Sequence, residues 1–239
     1  MSAPMPPPEA RQAFAGLAEL VYGATSVDEV LGAIVTTAVD VVPGCDHACI
    51  STLTAPRTLT TRAATDDIAR TMDQLENEAG EGPCLDSILE DSFQRDEDIT
   101  VRSTWPVLAK LTLAQTPVRG MIGYRLLPDG GAPSALDLFA DTPGAFTDAA
   151  ADVGAVLASF TSVALAALEQ RHTAENLRRG LESNREIGKA IGLLMATHSI
   201  SDEEAFTLLR QASSRTNTRL AVLAKRIADS HRGDPAADA

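Results

Sequence analysis

The chain has 239 residues, with 20 Lys+Arg against 33 Asp+Glu and a formal net charge of −13, which argues against a generally basic nucleic-acid coat protein. At ~100 to 200 residues per domain the length allows one large domain or two modest ones, and 44% hydrophobic residues exclude disorder throughout. No apolar run approaches the ~18 residues of a membrane span, the opening MSAPMPPPEA carries no basic or apolar leader, and the cysteines form no C-x-x-C pair, so a soluble cytoplasmic protein without a membrane partner is expected.

After a Pro-rich start, residues 9–22 place Phe14, Leu17 and Val21 at helical spacing. Ser26, with Glu29 three residues on, reads as a capping box opening a second helix through Val30, Ile34 and Ala38 to Val41. Residues 46–54 and 58–64 turn short and β-branched around Pro56 and Arg57, predicting a hairpin. Residues 66–78 are helical again and lead into the loop Gly80-Glu81-Gly82-Pro83-Cys84. A short helix at 84–89, a strand at 93–96, a helix at 105–114 and two strands at 118–127 and 134–139 follow, the last two joined by Pro128-Asp129-Gly130-Gly131. This order predicts an α+β domain, one antiparallel sheet covered by helices, over residues 9–168.

From Thr147, a predicted N-cap, the helical pattern runs unbroken to about Thr197. Val153, Val156, Phe160, Val163, Ala167, Gln170, Ala174, Leu177, Leu181 and Asn184 alternate spacings of three and four, a heptad seam that wants a partner. Parallel dimerisation through this helix and an internal bend near Gln170 are the competing readings. Ser201 and Glu204 form a second capping box, opening a helix expected to bury Ala205, Leu208, Leu209 and Ala212. Thr216 or Asn217 is expected to open a last helix with Leu220, Leu223 and Ile227. With the end of the long helix these make an all-α three-helix bundle over residues 169–232.

Charge divides the chain as the pattern does. Residues 1–170 hold 9 basic and 24 acidic side chains, residues 171–232 hold 11 and 7. Only the second segment suits a phosphate-bearing partner.

Residues 181–223 resemble the ANTAR family of RNA-binding antitermination domains. The resemblance rests on KAIGLLM with Ala190, Gly192, Leu194 and Met195, on Ile200, on EEAFTLLRQAS at 203–213, and on Arg215-Thr216-Asn217, Arg219-Leu220 and Ala224. The first part is similar to GAF sensor domains that precede ANTAR in actinobacteria, on residues 75–86 with the GEGPCLD centre, Trp105-Pro106 and ALDLFAD at 135–141. The resemblance implies a dimeric, signal-responsive regulator that binds paired RNA hairpins in nascent transcripts and prevents termination. Duplex DNA is disfavoured as a partner because the last helices lack an evident basic recognition helix. Two positions depart from it: Ile191 and Ala221 stand where many members carry a basic residue.

Ile187, Ile191 and Leu194 mark the buried face of the first bundle helix, leaving Asn184, Arg185, Lys189 and Gly192 on others. Gly188 and Gly192 signal close approach by another backbone, with a neighbouring helix preferred over RNA. Arg215, Thr216, Asn217 and Arg219 cluster at a turn, either a solvated cap or a phosphate and base contact; the resemblance favours the contact, with Arg219 foremost. Phe206, the one aromatic residue in 171–232, is expected in the core, so stacking is not the main device.

In the sensor part Cys84 and Trp105 are the candidate pocket residues, each with a core-packing alternative. Cys45, His47 and Cys49 invite a metal reading but lack a fourth ligand, so neither a metal nor a cofactor is expected, beyond an unidentified small-molecule ligand of the GAF pocket. Acidic clusters such as Glu76, Glu78 and Glu81 read as solvated loops. No Walker A, G-x-S-x-G, H-E-x-x-H or kinase catalytic-loop pattern occurs, and no enzyme activity is expected. The alternative function is a ligand-sensing dimer whose helical bundle binds a protein and has lost RNA binding.

Overall fold

The computed structural model describes residues 8–24, 26–55, 57–126 and 132–232. The Pro-rich start before Pro8, Pro56, the Pro128-Asp129-Gly130-Gly131 turn and the tail from Gly233 lie outside the described residues. The chain divides into two compact units, Met1–Glu169 and Gln170–Ala239.

The first unit runs α1 (Pro8–Gly23), α2 (Val27–Val41), β1 (His47–Ala55), β2 (Thr58–Ala64), α3 (Asp67–Ala79), α4 (Pro83–Leu89), β3 (Phe93–Asp96), α5 (Pro106–Gln115), β4 (Gly120–Leu126) and β5 (Ser134–Ala140), then the opening turns of α6 (Asp148–His198). The strands form one antiparallel sheet in the order β2-β1-β5-β4-β3. Strand alternation sorts the core into two layers. Ile50, Ile122, Leu136 and Leu138 pack with Val30, Ile34 and Leu157 on the α1, α2 and α6 side. Cys49, Met121 and Phe139 point the other way, to Met72, Trp105 and Leu108 of the α3 and α5 layer.

Local chemistry sets the helix ends. Ser26 Oγ accepts the Glu29 N–H at 3.2 Å, and Asp66 Oδ1 accepts the Ala69 N–H at 2.9 Å, each satisfying a first-turn donor. Gly80, at φ +69, ends α3 in the left-handed conformation that costs glycine least. The strand expected from Val118 begins only at Gly120; Val118 is buried ahead of the sheet.

Tyr124 ties α6 to the sheet by donating its phenolic hydrogen to the Ala151 carbonyl at 2.7 Å. Gly154, one turn on, leaves the room: a Cβ there would stand 2.5 Å from the Tyr124 oxygen. One 18-residue window of α6 reaches a mean hydropathy of 1.7, apolar enough by length and composition to cross a membrane. The shortness of any single apolar run concealed this. Within the first unit that helix instead buries Ala150, Leu157, Ala158, Thr161, Ala164 and Leu168.

The predicted seam of α6 is a different face from the one the sheet takes. Val153 and Phe160 pack on the first unit's core, but Val156 and Val163 are exposed, Val163 by 70%. In the second unit the predicted seam residues Leu177 and Leu181 are also exposed.

The second unit comprises the remainder of α6, α7 (Asp202–Arg215) and α8 (Leu220–Arg232). Ser201 and Glu204 make the full reciprocal capping box. Ala190, Leu209 and Ala224 are buried at the centre, ringed by Ile187, Ile191, Leu194, Leu220, Leu223 and Ile227. Two expectations are corrected. Leu208 is exposed, because α7 turns only the Ala205–Leu209 stripe inward. The last helix starts at Leu220, because Thr216 closes α7 and Asn217, at φ +47, leaves the helical path.

Candidate functional site

In the first unit an open cavity of about 220 Å³ lies on the α2 and α6 side of the sheet, against Leu31, Ile50, Thr52, Arg62, Leu165 and Glu169. Neither pocket residue expected from the sequence lines it. Cys84 is fully buried among Leu59, Leu85 and Ala135, and Trp105 is buried with its indole N–H donated to Asp86 Oδ2 at 2.6 Å. Both belong to the opposite layer. The triad Cys45, His47 and Cys49 is likewise dispersed: Cys45 packs in the α1 and α2 layer and Cys49 in the α3 and α5 layer. The His47 ring lies between Asp66, 2.6 Å from Nδ1, and Asp141, 3.2 Å from Nε2. For Asp66 burial works upward, but the Ala69 N–H and His47 outweigh it and hold the carboxyl below its usual range.

Beneath α3 and α4 the same layer encloses three buried carboxyls, Asp73, Glu76 and Asp137. Burial pushes all three up from the usual range, and their mutual repulsion adds to it for Glu76 and Asp137. Asp73 accepts from the Ser51 and Thr61 hydroxyls. Glu76 accepts the Cys84 and Leu85 N–H groups, each at 3.3 Å, and so caps the start of α4. This is the structural meaning of the GEGPC loop: Gly82, at φ +153, lies directly on the Glu76 carboxyl, where any side chain would overlap it. The expectation of a solvated Glu76 is thereby corrected; nothing in the spacing of these acids shows which face of α3 is inward.

In the second unit α6 turns Asn184, Arg185, Gly188 and Gly192 to solvent. No atom approaches within 4 Å of the position a Cβ would take at Gly188 or Gly192, so the expected packing of a neighbouring helix on these glycines is not found among the described residues. They leave bare backbone one turn apart, beside Arg185 and Lys189; Lys189 is half-buried and holds Glu186 at 2.6 Å.

The 215–219 turn is braced from within. The Thr216 hydroxyl donates to the Ala212 carbonyl at 2.8 Å, and Ser213 Oγ to the Thr218 carbonyl at 2.6 Å. Thr216 is thus committed to closing α7 rather than opening the next helix. Arg215 and Arg219 project outward, with no ion pair among the described residues.

Residues 175–227 match the family model of the ANTAR domain. The second unit carries an ANTAR domain. No functionally curated protein matches the chain. Among solved structures, the first unit's fold is similar to the GAF domains of phosphoenolpyruvate-protein phosphotransferases from Acinetobacter (14% identity, TM-score 0.50, 74% of this chain and 99% of that one) and Coxiella burnetii (12%, 0.51, 69% and 97%). It is also similar to free methionine-R-sulfoxide reductase from Neisseria meningitidis (14%, TM-score 0.51, 72% and 99%). At such identities the likeness shows the fold alone. The chain therefore combines a GAF-like α+β unit with an ANTAR domain.

Within the ANTAR domain Ile191 is half-buried and packs on the bundle core. Phe206 corrects the core expectation: it is 41% exposed and one turn from exposed Arg210. A ring and a guanidinium side by side can stack on a base. Arg210, Lys225 and Arg226, all exposed, extend the basic surface beyond the residues singled out from the sequence. A helical-wheel count centred on Ala205 and Leu209 would have found Phe206 and Arg210.

Proposed function

We propose that this chain is a signal-responsive RNA-binding regulator that grips paired hairpins in a nascent transcript and keeps a terminator from forming. The single observation that carries the reading is the ANTAR match over residues 175–227, a segment in which 9 basic side chains stand against 6 acidic ones. It acts as a non-catalytic protein in the cytoplasm, where transcripts are made, and the GAF-like unit supplies the signal input.

The RNA contacts are assigned to Asn184, Arg185, Lys189 and Gly192 on α6 and to Arg215, Asn217 and Arg219 at the turn. Thr216 supports them by bracing that turn. Bare backbone at Gly188 and Gly192 lets a phosphate approach closely, and the unpaired Arg215 and Arg219 offer fork-shaped donors to phosphate or base edges. Two copies are needed to hold two hairpins. The exposed stripe of α6, with Val156, Val163, Leu177 and Leu181, supports dimerisation as a parallel coiled coil.

The test is a mobility-shift titration of the full chain with a two-hairpin RNA, a single hairpin and duplex DNA at two salt concentrations. Selective retention of the two-hairpin RNA, weakening with salt, is expected. No binding to any RNA would transfer the assignment to a protein-binding bundle, and equal competition by duplex DNA would transfer it to a DNA-binding regulator.

A further inference from the structure

Cys49, Asp137 and Gly123 form a single row across three neighbouring strands: Cys49 pairs with Asp137 between β1 and β5, and Asp137 with Gly123 between β5 and β4. Asp73 descends onto this row from α3. The Cys49 sulfur and one carboxylate oxygen each of Asp73 and Asp137 lie within 4.8 Å of one another, all fully enclosed. Asp73 is held in place by Ser51 and Thr61. Asp137 is not held by anything comparable. It has no exposed surface, and neither of its oxygens has a hydrogen-bond partner. The Cys84 thiol is the neighbour that favours its ionised form, and no cation is among the groups acting on it.

A buried carboxyl with both oxygens idle is among the costliest arrangements a fold retains, and a bound cation is the partner that would satisfy it. Gly123 lets the start of α4 come down onto this row: a Cβ there would stand 3.0 Å from Asp137 Oδ1 and 2.5 Å from the Pro83 carbonyl, so only glycine admits both neighbours.

We infer that Cys49, Asp73 and Asp137 form a binding site for a thiolate-accepting divalent metal ion of the zinc class. Sulfur among the donors disfavours Mg2+ and Ca2+, which take oxygen ligands in larger numbers. Three buried protein donors, one of them sulfur, instead suit a tetrahedral ion that keeps its fourth position for a small ligand. With metal–sulfur and metal–oxygen bonds of about 2.3 and 2.0 Å, the sulfur–oxygen edge of such a tetrahedron is about 3.5 Å. The Cys49 sulfur already stands 3.5 Å from Asp73 Oδ1. Binding exchanges the thiol and carboxyl protons for the ion, so uptake strengthens as pH rises. The inference concerns the GAF-like unit alone and stands whatever the ANTAR domain binds.

Cobalt(II) titration of the metal-stripped full chain tests it by absorption. One ion per chain is expected, with a near-ultraviolet sulfur-to-cobalt charge-transfer band and the visible bands of a tetrahedral ion, both lost on adding Zn2+. Cys49→Ser should weaken the charge-transfer band, and Asp137→Asn should lower affinity tenfold or more. Circular dichroism confirms that each variant is folded. Cys45→Ser, altered on the opposite face of the sheet, should leave the spectrum unchanged, which keeps the test decisive if a ligand variant fails to fold. Absence of uptake by the unaltered chain, retention of full affinity in both folded ligand variants, or loss of the band in Cys45→Ser would overturn the proposal.

Discussion

Gly82 rests on the carboxyl group of Glu76, and that carboxyl in turn accepts the Cys84 and Leu85 N–H groups at the start of α4. The backbone at Gly82 stands at φ +153, a region other residues avoid, and the Glu76 side chain it rests on is fully buried. Gly82→Ala should therefore destabilise the first unit by about 2–4 kcal/mol, combining backbone strain with disturbed capping. Urea unfolding measures this, and a loss under about 0.5 kcal/mol would contradict the packing described.

Tyr124→Phe removes the hydroxyl that anchors α6 through the Ala151 carbonyl. The expected loss is about 1 kcal/mol, that of one buried hydrogen bond. Gly154→Ala should cost about 1–3 kcal/mol by overpacking against the same ring. Thermal unfolding of both variants ranks them, and a harmless Gly154→Ala would show that α6 does not seat on Tyr124.

Asp73, Glu76 and Asp137 have folded pKa values raised above their unfolded ones. From the usual carboxylate range upward the native state holds more protons than the unfolded chain, so metal-free stability should fall as pH rises through that range toward the raised values. Asp66 works in the opposite sense: its folded pKa is lowered, and its contribution is lost as pH falls through that value. Asp137→Asn should flatten the descending limb. Urea midpoints of the metal-free chain across pH measure both, and an unchanged slope in that variant would remove Asp137 from the account.

Arg219→Ala and Arg215→Ala should each weaken RNA binding while leaving the fold intact, since both side chains project from a turn braced by other residues. Removing a phosphate-binding guanidinium at either position should reduce the salt slope by about one. Phe206→Ala should weaken RNA binding with little change in that slope, if the ring stacks on a base. Filter binding at several salt concentrations separates the two signatures.

Val163→Glu, on the exposed stripe of α6, should shift the chain from dimer to monomer without unfolding the first unit, whose core that side chain does not enter. Sedimentation at matched concentrations measures the change. A monomeric unaltered chain would remove the coiled-coil assignment.

Features governed by local chemistry and residue period were legible along the chain without its fold. The helix and strand order, the caps at Ser26 and Ser201, the length of α6 and the inward stripe of Ile187, Ile191 and Leu194 follow from spacing along one element. Features that depend on which of two faces an element presents emerged only from the packing. Phe206 and Leu208 read as core by hydrophobicity, yet a short three-helix unit has too little interior to enclose every apolar side chain. Gly188 and Gly192 read as a helix contact, yet no helix comes to them among the described residues. Cys45 and Cys49 read as one group because an unbroken strand would put residues four apart on one face, but β1 starts only at His47, so Cys45 lies ahead of that alternation and packs in the opposite layer. Cys49, Asp73 and Asp137, distant in sequence, meet because three elements converge beneath α4. That convergence is long-range packing, and no local spacing encodes it.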